Sequence, residues 1–128
     1  MLVRREVLER AGLFDEACFY SFEDLDLCLR AAGHGFATVC VTDARVYHEG
    51  GRSIGPRSTR RVYYGVRNHL RVAQRIAPLG GLGRAVRGAA IVGLSTAYVL
   101  SSRDVGVAGG LLAISRGVRD HLRGRYGP

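Results

Sequence analysis

Apolar side chains recur at helical spacing in three parts of the chain. The first lies within residues 3–11 and stops at Gly12, which predicts a short helix. The second predicts a helix with a single apolar stripe, formed by Leu25, Cys28, Leu29 and Ala32. The third begins at Val62 and predicts a longer helix, whose inner face consists of Val62, Val66, His69 or Leu70, and Ala73.

The second helix has recognisable start and stop signals. Ser21 is a residue type that favours the N-cap position, and Asp24 follows three residues later in a capping-box arrangement. Gly33 and Gly35 then predict the end of the helix.

Two short extended segments follow this helix. The run FATVCV is rich in β-branched residues and predicts a strand, and RVYH predicts a second one after a turn at TDA. Residues 49–60 contain three glycines, one proline and three arginines, which is typical of a loop. Helices and strands together predict an α/β fold with helices around a small sheet.

The last third of the chain is predicted to form two or three helices. Its longest stretch without a charge, residues 88–102, has 15 residues, and a membrane-spanning helix needs about 20. Arginines bracket the apolar segments. This pattern suits helices that pack on the domain, or helices that lie in a membrane interface with arginines at the lipid headgroups.

Composition narrows the class of partner. The net charge is +8, and all 19 basic residues are arginine, so an anionic partner is expected: a nucleoside diphosphate, an anionic membrane or nucleic acid.

The three cysteines are widely spaced and form no C-x-x-C pair, which argues against a disulfide framework and against a zinc cluster.

Acidic residues cluster at the mouth of the second helix, at Glu23, Asp24 and Asp26. One explanation is structural, because acids in a first turn interact favourably with the helix dipole by about 0.3–1 kcal/mol each, and Asp26 can pair with Arg30 one turn later. The alternative explanation is that these acids belong to a functional site. The helix runs ~12 Å away from Asp24, and a returning strand would bring His48 back beside it.

The ordered motifs of residues 2–75 resemble those of family 2 glycosyltransferases, which are inverting enzymes of the GT-A fold, and among them the rhamnosyltransferase-like members. The family pattern is G-x-F-D-E, then E-D-x-D-L-x-x-R, a glycine, a β-run and an aliphatic–aromatic–His–x–Gly segment, followed by a helix with an R-N pair. The matching residues are Gly12, Phe14, Asp15 and Glu16; Glu23, Asp24, Asp26, Leu27 and Arg30; Gly35; Val46, Tyr47, His48 and Gly50; Arg67 and Asn68.

The resemblance implies roles for individual residues. Asp24 matches the general base, which takes a proton from the acceptor hydroxyl, and Glu23 lies beside it as a substrate-binding candidate. His48 matches a position that supplies a metal ligand in some relatives, and a divalent metal, Mg²⁺ or Mn²⁺, is expected in the complete enzyme. Charge alone makes Arg52 and Arg57 candidate contacts for the diphosphate.

The expected organisation is a partial GT-A-like α/β unit over residues 1–77, the C-terminal half of a catalytic domain, and a helical extension over residues 78–128. No D-x-D motif precedes Gly12. The nucleotide-binding half is therefore expected to lie outside these residues, and the sequence does not predict whether this chain is active alone.

The expected partners are a nucleotide-sugar donor and a glycan or lipid-linked acceptor, at the cytoplasmic face of a membrane that the basic helices contact peripherally. Nucleic acid is not favoured. Two alternatives stay open: a non-catalytic basic module that binds an anionic membrane or nucleic acid, and a truncated, inactive gene product.

Overall fold

The structure is a computed structural model that describes residues 1–48, 54–55, 58–76, 79–102 and 105–128. These residues form five α-helices and one 3₁₀ turn, Glu16–Cys18. The helices are α1 (Arg5–Ala11), α2 (Glu23–Gly33), α3 (Thr59–Ile76), α4 (Gly81–Ser101) and α5 (Val107–Leu122).

The predicted α/β fold is wrong. The described residues contain no strand, so the expected partial GT-A-like sheet is not seen either. Residues 36–48, where both strands were expected, are irregular and exposed, with Val46 82% and Tyr47 98% accessible. A strand needs a neighbour to pair its backbone groups, and no described segment supplies one, so β propensity alone does not produce a sheet here.

Helices α1 and α2 form where helical spacing predicted them. Helix α1 ends at Gly12, whose φ of 82° is a conformation that glycine adopts without a steric cost. Helix α2 ends at Gly33 as predicted. Its start is different, because the N-cap is Phe22 and no side chain caps the helix, so the predicted capping by Ser21 is wrong.

The predicted apolar stripe of α2 is also wrong. The buried residues of this helix are Asp26, Leu27 and Ala31, whereas Leu25 is 40% exposed and Ala32 is exposed. The buried face of the helix thus lies almost opposite the predicted stripe, because a turn of about 100° per residue places Leu27 and Ala31 roughly 200–240° around the helix from Leu25. This orientation carries an acid, Asp26, into the interior together with Leu27.

Helix α3 is the central element, and its predicted apolar face is confirmed. Residues from all three C-terminal helices, with Val105 from the segment before α5, build one core, which consists of Val62, Val66, Leu70, Ala73, Ile91, Val99, Val105, Ala113 and Ile114. Helices α4 and α5 therefore pack directly on α3. None of the helices in the described part of the chain is both long enough and apolar enough to span a membrane.

Glycines allow α5 to approach its neighbours closely. A Cβ atom at Gly117 would lie 2.9 Å from the carbonyl oxygen of Tyr63 on α3, and one at Gly110 would lie 2.5 Å from Cγ1 of Val99 on α4. A backbone carbonyl within a helix cannot move aside as a side chain can. The spacing between α3 and α5 therefore depends on Gly117 having no side chain.

We predict opposite effects for the same substitution at two helical glycines. Gly117→Ala should lower the free energy of unfolding by about 1–3 kcal/mol, because the added methyl group overpacks the contact between α3 and α5. Gly93→Ala, on α4 with no atom within 4 Å of the new methyl group, should raise it by about 0.5–1 kcal/mol. Urea unfolding measures both, and equal effects would contradict this packing.

Candidate functional site

The backbone just before the E-D doublet is strained. Ser21 and Phe22 have φ values of 67° and 71°, in the left-handed region that residues with a side chain rarely adopt. Such a conformation costs about 1–3 kcal/mol per residue and persists only where the surroundings impose it. Two strained residues directly before Glu23 and Asp24 mark this helix start as a candidate site.

Asn68 on α3 holds the strained turn. Its side chain is fully buried, and Nδ2 donates hydrogen bonds to the carbonyl oxygens of Tyr20 at 2.7 Å and Ser21 at 3.1 Å. Oδ1 of the same amide accepts from Nε of Arg67 at 3.1 Å. A buried amide with its donors and acceptor engaged fixes the orientation of the turn, because a displaced partner would leave polar atoms unsatisfied.

An aromatic stack supports the same turn from the side. The ring of Phe22 lies on the imidazole of His69, with ring centroids 4.8 Å apart and planes 23° from parallel. Burial lowers the pKa of His69, which favours the neutral form of the ring. Asn68 and His69 thus fix the turn through successive positions of α3.

The two acids of the doublet differ in their surroundings. Asp24 is exposed, and its Oδ1 accepts a hydrogen bond from the backbone N–H of Leu25 at 2.7 Å. Glu23 is half-buried, and its Oε2 is buried without a hydrogen-bond partner in the described part of the chain. The start of α2 therefore has one solvent-facing carboxylate, that of Asp24, and beside it a buried carboxylate oxygen of Glu23 without a hydrogen-bond partner in the described residues.

Asp26 points the opposite way and is fully buried. Its Oδ2 accepts from Nε of Arg30 at 2.9 Å, and its Oδ1 pairs with Nη1 of Arg75 on α3. Arg30 also donates to the backbone carbonyl oxygens of Ala11 and Leu13, so it ties the end of α1 to α2. This confirms the bracing role that the sequence predicted for the Asp26–Arg30 pair.

Asp15, from the F-D-E motif, is a second structural acid. It caps the 3₁₀ turn through the N–H of Ala17 at 3.0 Å and accepts from Arg71 at 2.8 Å and Arg75 at 3.0 Å. Burial alone would raise the pKa of Asp15, but the hydrogen bonds from Arg71 and Ala17 and the charges of both arginines outweigh burial and lower it. Arg75 therefore bridges Asp15 and Asp26.

Arg67, one residue before Asn68, is a buried cation whose neighbours are carbonyls and aromatic rings. Its Nη2 donates to the carbonyl oxygens of Ala17 at 3.3 Å and Gly127 at 2.8 Å. The guanidinium lies 4.9–5.7 Å from three ring centroids, those of Tyr63, Tyr64 and Tyr126. Through these contacts Arg67 joins the 3₁₀ turn, α3 and the C-terminus.

The structure brings only some of the sequence-predicted site residues together. Glu23 and Asp24 are adjacent at the start of α2, and His48 is exposed in the irregular segment. No hydrogen bond or ion pair within the described ranges joins either acid to His48, and the strand that was expected to deliver this histidine does not form. Arg52 and Arg57 lie outside the described residues. The roles of all five residues stay predictions.

The described residues do not assemble a metal centre. No group of three or more His, Cys, Asp or Glu side chains lies close enough there to hold an ion, and the three cysteines are free. His48 thus has no companion ligands in this part of the chain. The residues present do not by themselves fit the divalent metal that the resemblance implies.

Sequence reasoning missed the residues that hold the site. In the sequence pattern Asn68 stands only as part of the R-N pair, and the pattern gives no role to Arg71 or Arg75. A signal was present, because Arg67, Arg71 and Arg75 recur every fourth position and so lie on one face of α3. A stripe of arginines on a helix that faces an acid-rich segment indicates buried ion pairing as well as a solvated surface.

Comparison with known proteins gives one family. The sequence model of the family described as "Glycosyltransferase like family 2" matches residues 1–73, which include α1, α2 and most of α3. No match was found among curated proteins or among solved structures. The matched region contains the strained turn, the doublet and Asn68.

We predict that Ser21→Gly stabilises the protein by about 0.5–1 kcal/mol, because glycine removes the left-handed strain while loosening the unfolded chain only modestly. The matched control is Ser115→Gly at an ordinary helical position of α5, which should cost roughly 0.5 kcal/mol. Urea unfolding compares the two. If both substitutions destabilise equally, the turn at Ser21 is not strained as described.

Proposed function

The chain belongs to the glycosyltransferase-like family 2, and from this membership we propose that it carries the acceptor side and the general base of an inverting glycosyltransferase. The donor would be a nucleotide-activated sugar, and the acceptor a hydroxyl group of a glycan or a lipid-linked saccharide. The resemblance to rhamnosyltransferase-like members makes a deoxyhexose donor the first to test. Asp24 is the proposed base.

The observation that carries this proposal is that Asp24 and Asp26, both at the start of α2, point in opposite directions. Asp26 is committed to Arg30 and Arg75, whereas Asp24 faces solvent with one hydrogen bond to the backbone. A base must be free to receive a proton and must be held in a fixed place. The strained turn held by Asn68 supplies a fixed position, and exposure supplies access.

The proposed reaction is a single displacement. The acceptor hydroxyl oxygen attacks the anomeric carbon of the donor sugar, and its proton passes to a carboxylate oxygen of Asp24. The bond from the anomeric carbon to the diphosphate oxygen breaks, and its electron pair leaves with the nucleoside diphosphate. Attack and departure on opposite faces invert the anomeric centre. Proton transfer to a positioned carboxylate contributes typically about 10²–10⁴-fold to such a rate.

For the other substrate contacts we propose candidate residues without a detailed geometry. Glu23 is the candidate contact for a second hydroxyl of the acceptor sugar; its Oε2 is buried and unpaired within the described residues, so the side chain would have to turn outward to accept from that hydroxyl. His48 is the candidate metal ligand, and Arg52 and Arg57 are candidate contacts for the diphosphate. Binding of the nucleotide would otherwise fall to a nucleotide-binding half, which we propose lies outside these 128 residues.

The test is sugar transfer by the protein in the form in which its cell produces it, measured as nucleoside diphosphate released from a panel of nucleotide-sugars. Asp24→Asn should lower kcat by at least about 100-fold and leave KM for the donor within about twofold, because the amide keeps the shape of the side chain and cannot take the proton. Asp43→Asn, an equal charge change at another exposed aspartate, should leave kcat unchanged.

Two results would overturn the proposal. If Asp24→Asn transferred sugar at the full rate, Asp24 would not be the general base. If Asp24→Asn and Asp43→Asn lowered kcat equally, the loss would come from the change in charge rather than from the position of Asp24. A protein that transfers no sugar, yet binds vesicles or DNA with a salt dependence that Asp24→Asn leaves intact, would instead be the non-catalytic basic module.

A further inference from the structure

Helix α4 exposes an apolar face along its whole length. No charged residue occurs between Gly88 and Ser101, and the large apolar side chains on the outside are Leu82, Val86, Leu94, Tyr98 and Leu100, each at least half exposed. A helix that packs on a water-soluble domain normally has a polar outer face. An apolar face without a charged residue over residues 88–101, about 21 Å of helix, indicates a surface that is covered in use.

The serine and threonine hydroxyl groups of α4 are turned back onto the helix itself. The hydroxyl groups of Ser95 and Thr96 donate to the carbonyl oxygens of Ile91 and Val92, both at 2.8 Å, and Ser101 donates to Tyr98 at 3.2 Å. These hydroxyl groups therefore do not need water as a hydrogen-bond acceptor. Such internal satisfaction is what an apolar medium requires of a helix that it contacts.

The apolar surface continues from α4 onto α5. Two grooves of about 460 and 520 Å³ meet there, and both are lined by Val92, Val118 and Leu122. Leu111 extends the first groove along α5 and is itself exposed. Exposed apolar surface is thus present both on the outer side of α4 and in the grooves between α4 and α5.

The charges around this patch are almost all positive. Four arginines of α4, α5 and the residue after α5 are exposed: Arg84, Arg116, Arg119 and Arg123. Asp120 is the one acid within α4 and α5. It accepts from the hydroxyl of Tyr63 on α3 at 3.1 Å and is mostly shielded from solvent. The patch therefore combines apolar side chains with a cationic rim and offers little negative charge.

We propose that the outer side of α4 and the adjoining side of α5 form a docking surface for an anionic lipid bilayer, with α4 lying in the plane of the interface. Apolar side chains would enter the boundary between headgroups and acyl chains, and the arginine rim would pair with lipid phosphates. Tyr98 is of a residue type that favours this depth.

Charge favours a bilayer over a second copy of this chain. Two copies that joined through this patch would bring two arginine rims together, and among the described residues of α4 and α5 only Asp120 on each side would offset them. An anionic bilayer supplies the missing negative charge at the same place as the apolar medium. The inference does not rest on the proposed sugar transfer, since it uses none of the residues at the start of α2.

Co-sedimentation with vesicles tests the surface. The full chain should bind vesicles that contain phosphatidylglycerol much more strongly than vesicles of phosphatidylcholine alone, and high salt should weaken the binding. Leu94→Glu should lower the partition coefficient at least tenfold, because it places a charge in the apolar face. The matched control is Leu13→Glu, the same change at a site of similar exposure, 72% against 70%, far from this patch in sequence, and it should have little effect.

A second pair of variants separates the rim from total charge. Arg84→Gln combined with Arg123→Gln should lower binding to the anionic vesicles more than tenfold, at about fivefold per arginine. Arg4→Gln combined with Arg5→Gln removes the same two charges from exposed sites near the N-terminus and should lower binding far less. Circular dichroism of each variant checks that the helices persist.

A tryptophan reports insertion directly, because the chain has none of its own. Emission from Tyr98→Trp should shift to the blue on anionic vesicles and be quenched by brominated acyl chains, whereas emission from Leu13→Trp should not change. The proposal is overturned if Leu94→Glu and Leu13→Glu bind alike, or if Tyr98→Trp is not quenched. The proposal is also overturned if the unaltered chain does not bind vesicles but forms an oligomer that Leu94→Glu dissociates.

Discussion

A buried carboxylate determines how the N-terminal half of this protein is arranged. Asp26 has no exposure to solvent and lies between Arg30 on its own helix and Arg75 on α3. An ionised carboxylate that loses its partners in such a place costs several kcal/mol, so α2 can dock on α3 only with this side chain facing inward. Because Arg75 also binds Asp15, the same contact fixes the loop between α1 and α2.

The orientation of Asp26 dictates that of the candidate base. Two residues along an α-helix correspond to a rotation of about 200°, so an inward Asp26 requires an outward Asp24. The turn ahead of them is held by Asn68 through two backbone carbonyls and by the stack of Phe22 on His69. Buried polar contacts, rather than apolar packing, thus decide which acid reaches solvent, and apart from Arg30 on α2 itself their partners lie on α3.

Sequence patterns predicted elements better than they predicted orientation or sheet structure. The apolar spacing of α3 gave both the helix and its buried face, because Val62 and Val66 pack on other apolar residues. The same rule failed for α2, where ion pairing with Arg75 decides the buried face and apolar spacing carries no information about it. For residues 36–48, β propensity predicted strands, but a strand depends on a pairing partner that the described residues do not contain. Arginines at every fourth position of α3 were the one overlooked signal for the site.

A double-mutant cycle on Asp26 and Arg75 tests this account most directly. Asp26→Asn, Arg75→Gln and the double variant are unfolded in urea, with the exposed pair of Glu6 and Arg10, 3.7 Å apart, as the reference cycle. We expect a coupling energy of about 2 kcal/mol or more for the buried pair and below about 1 kcal/mol for the exposed one. A coupling for Asp26 and Arg75 no larger than that of the reference pair would contradict the claim that this contact orients α2 and, with it, Asp24.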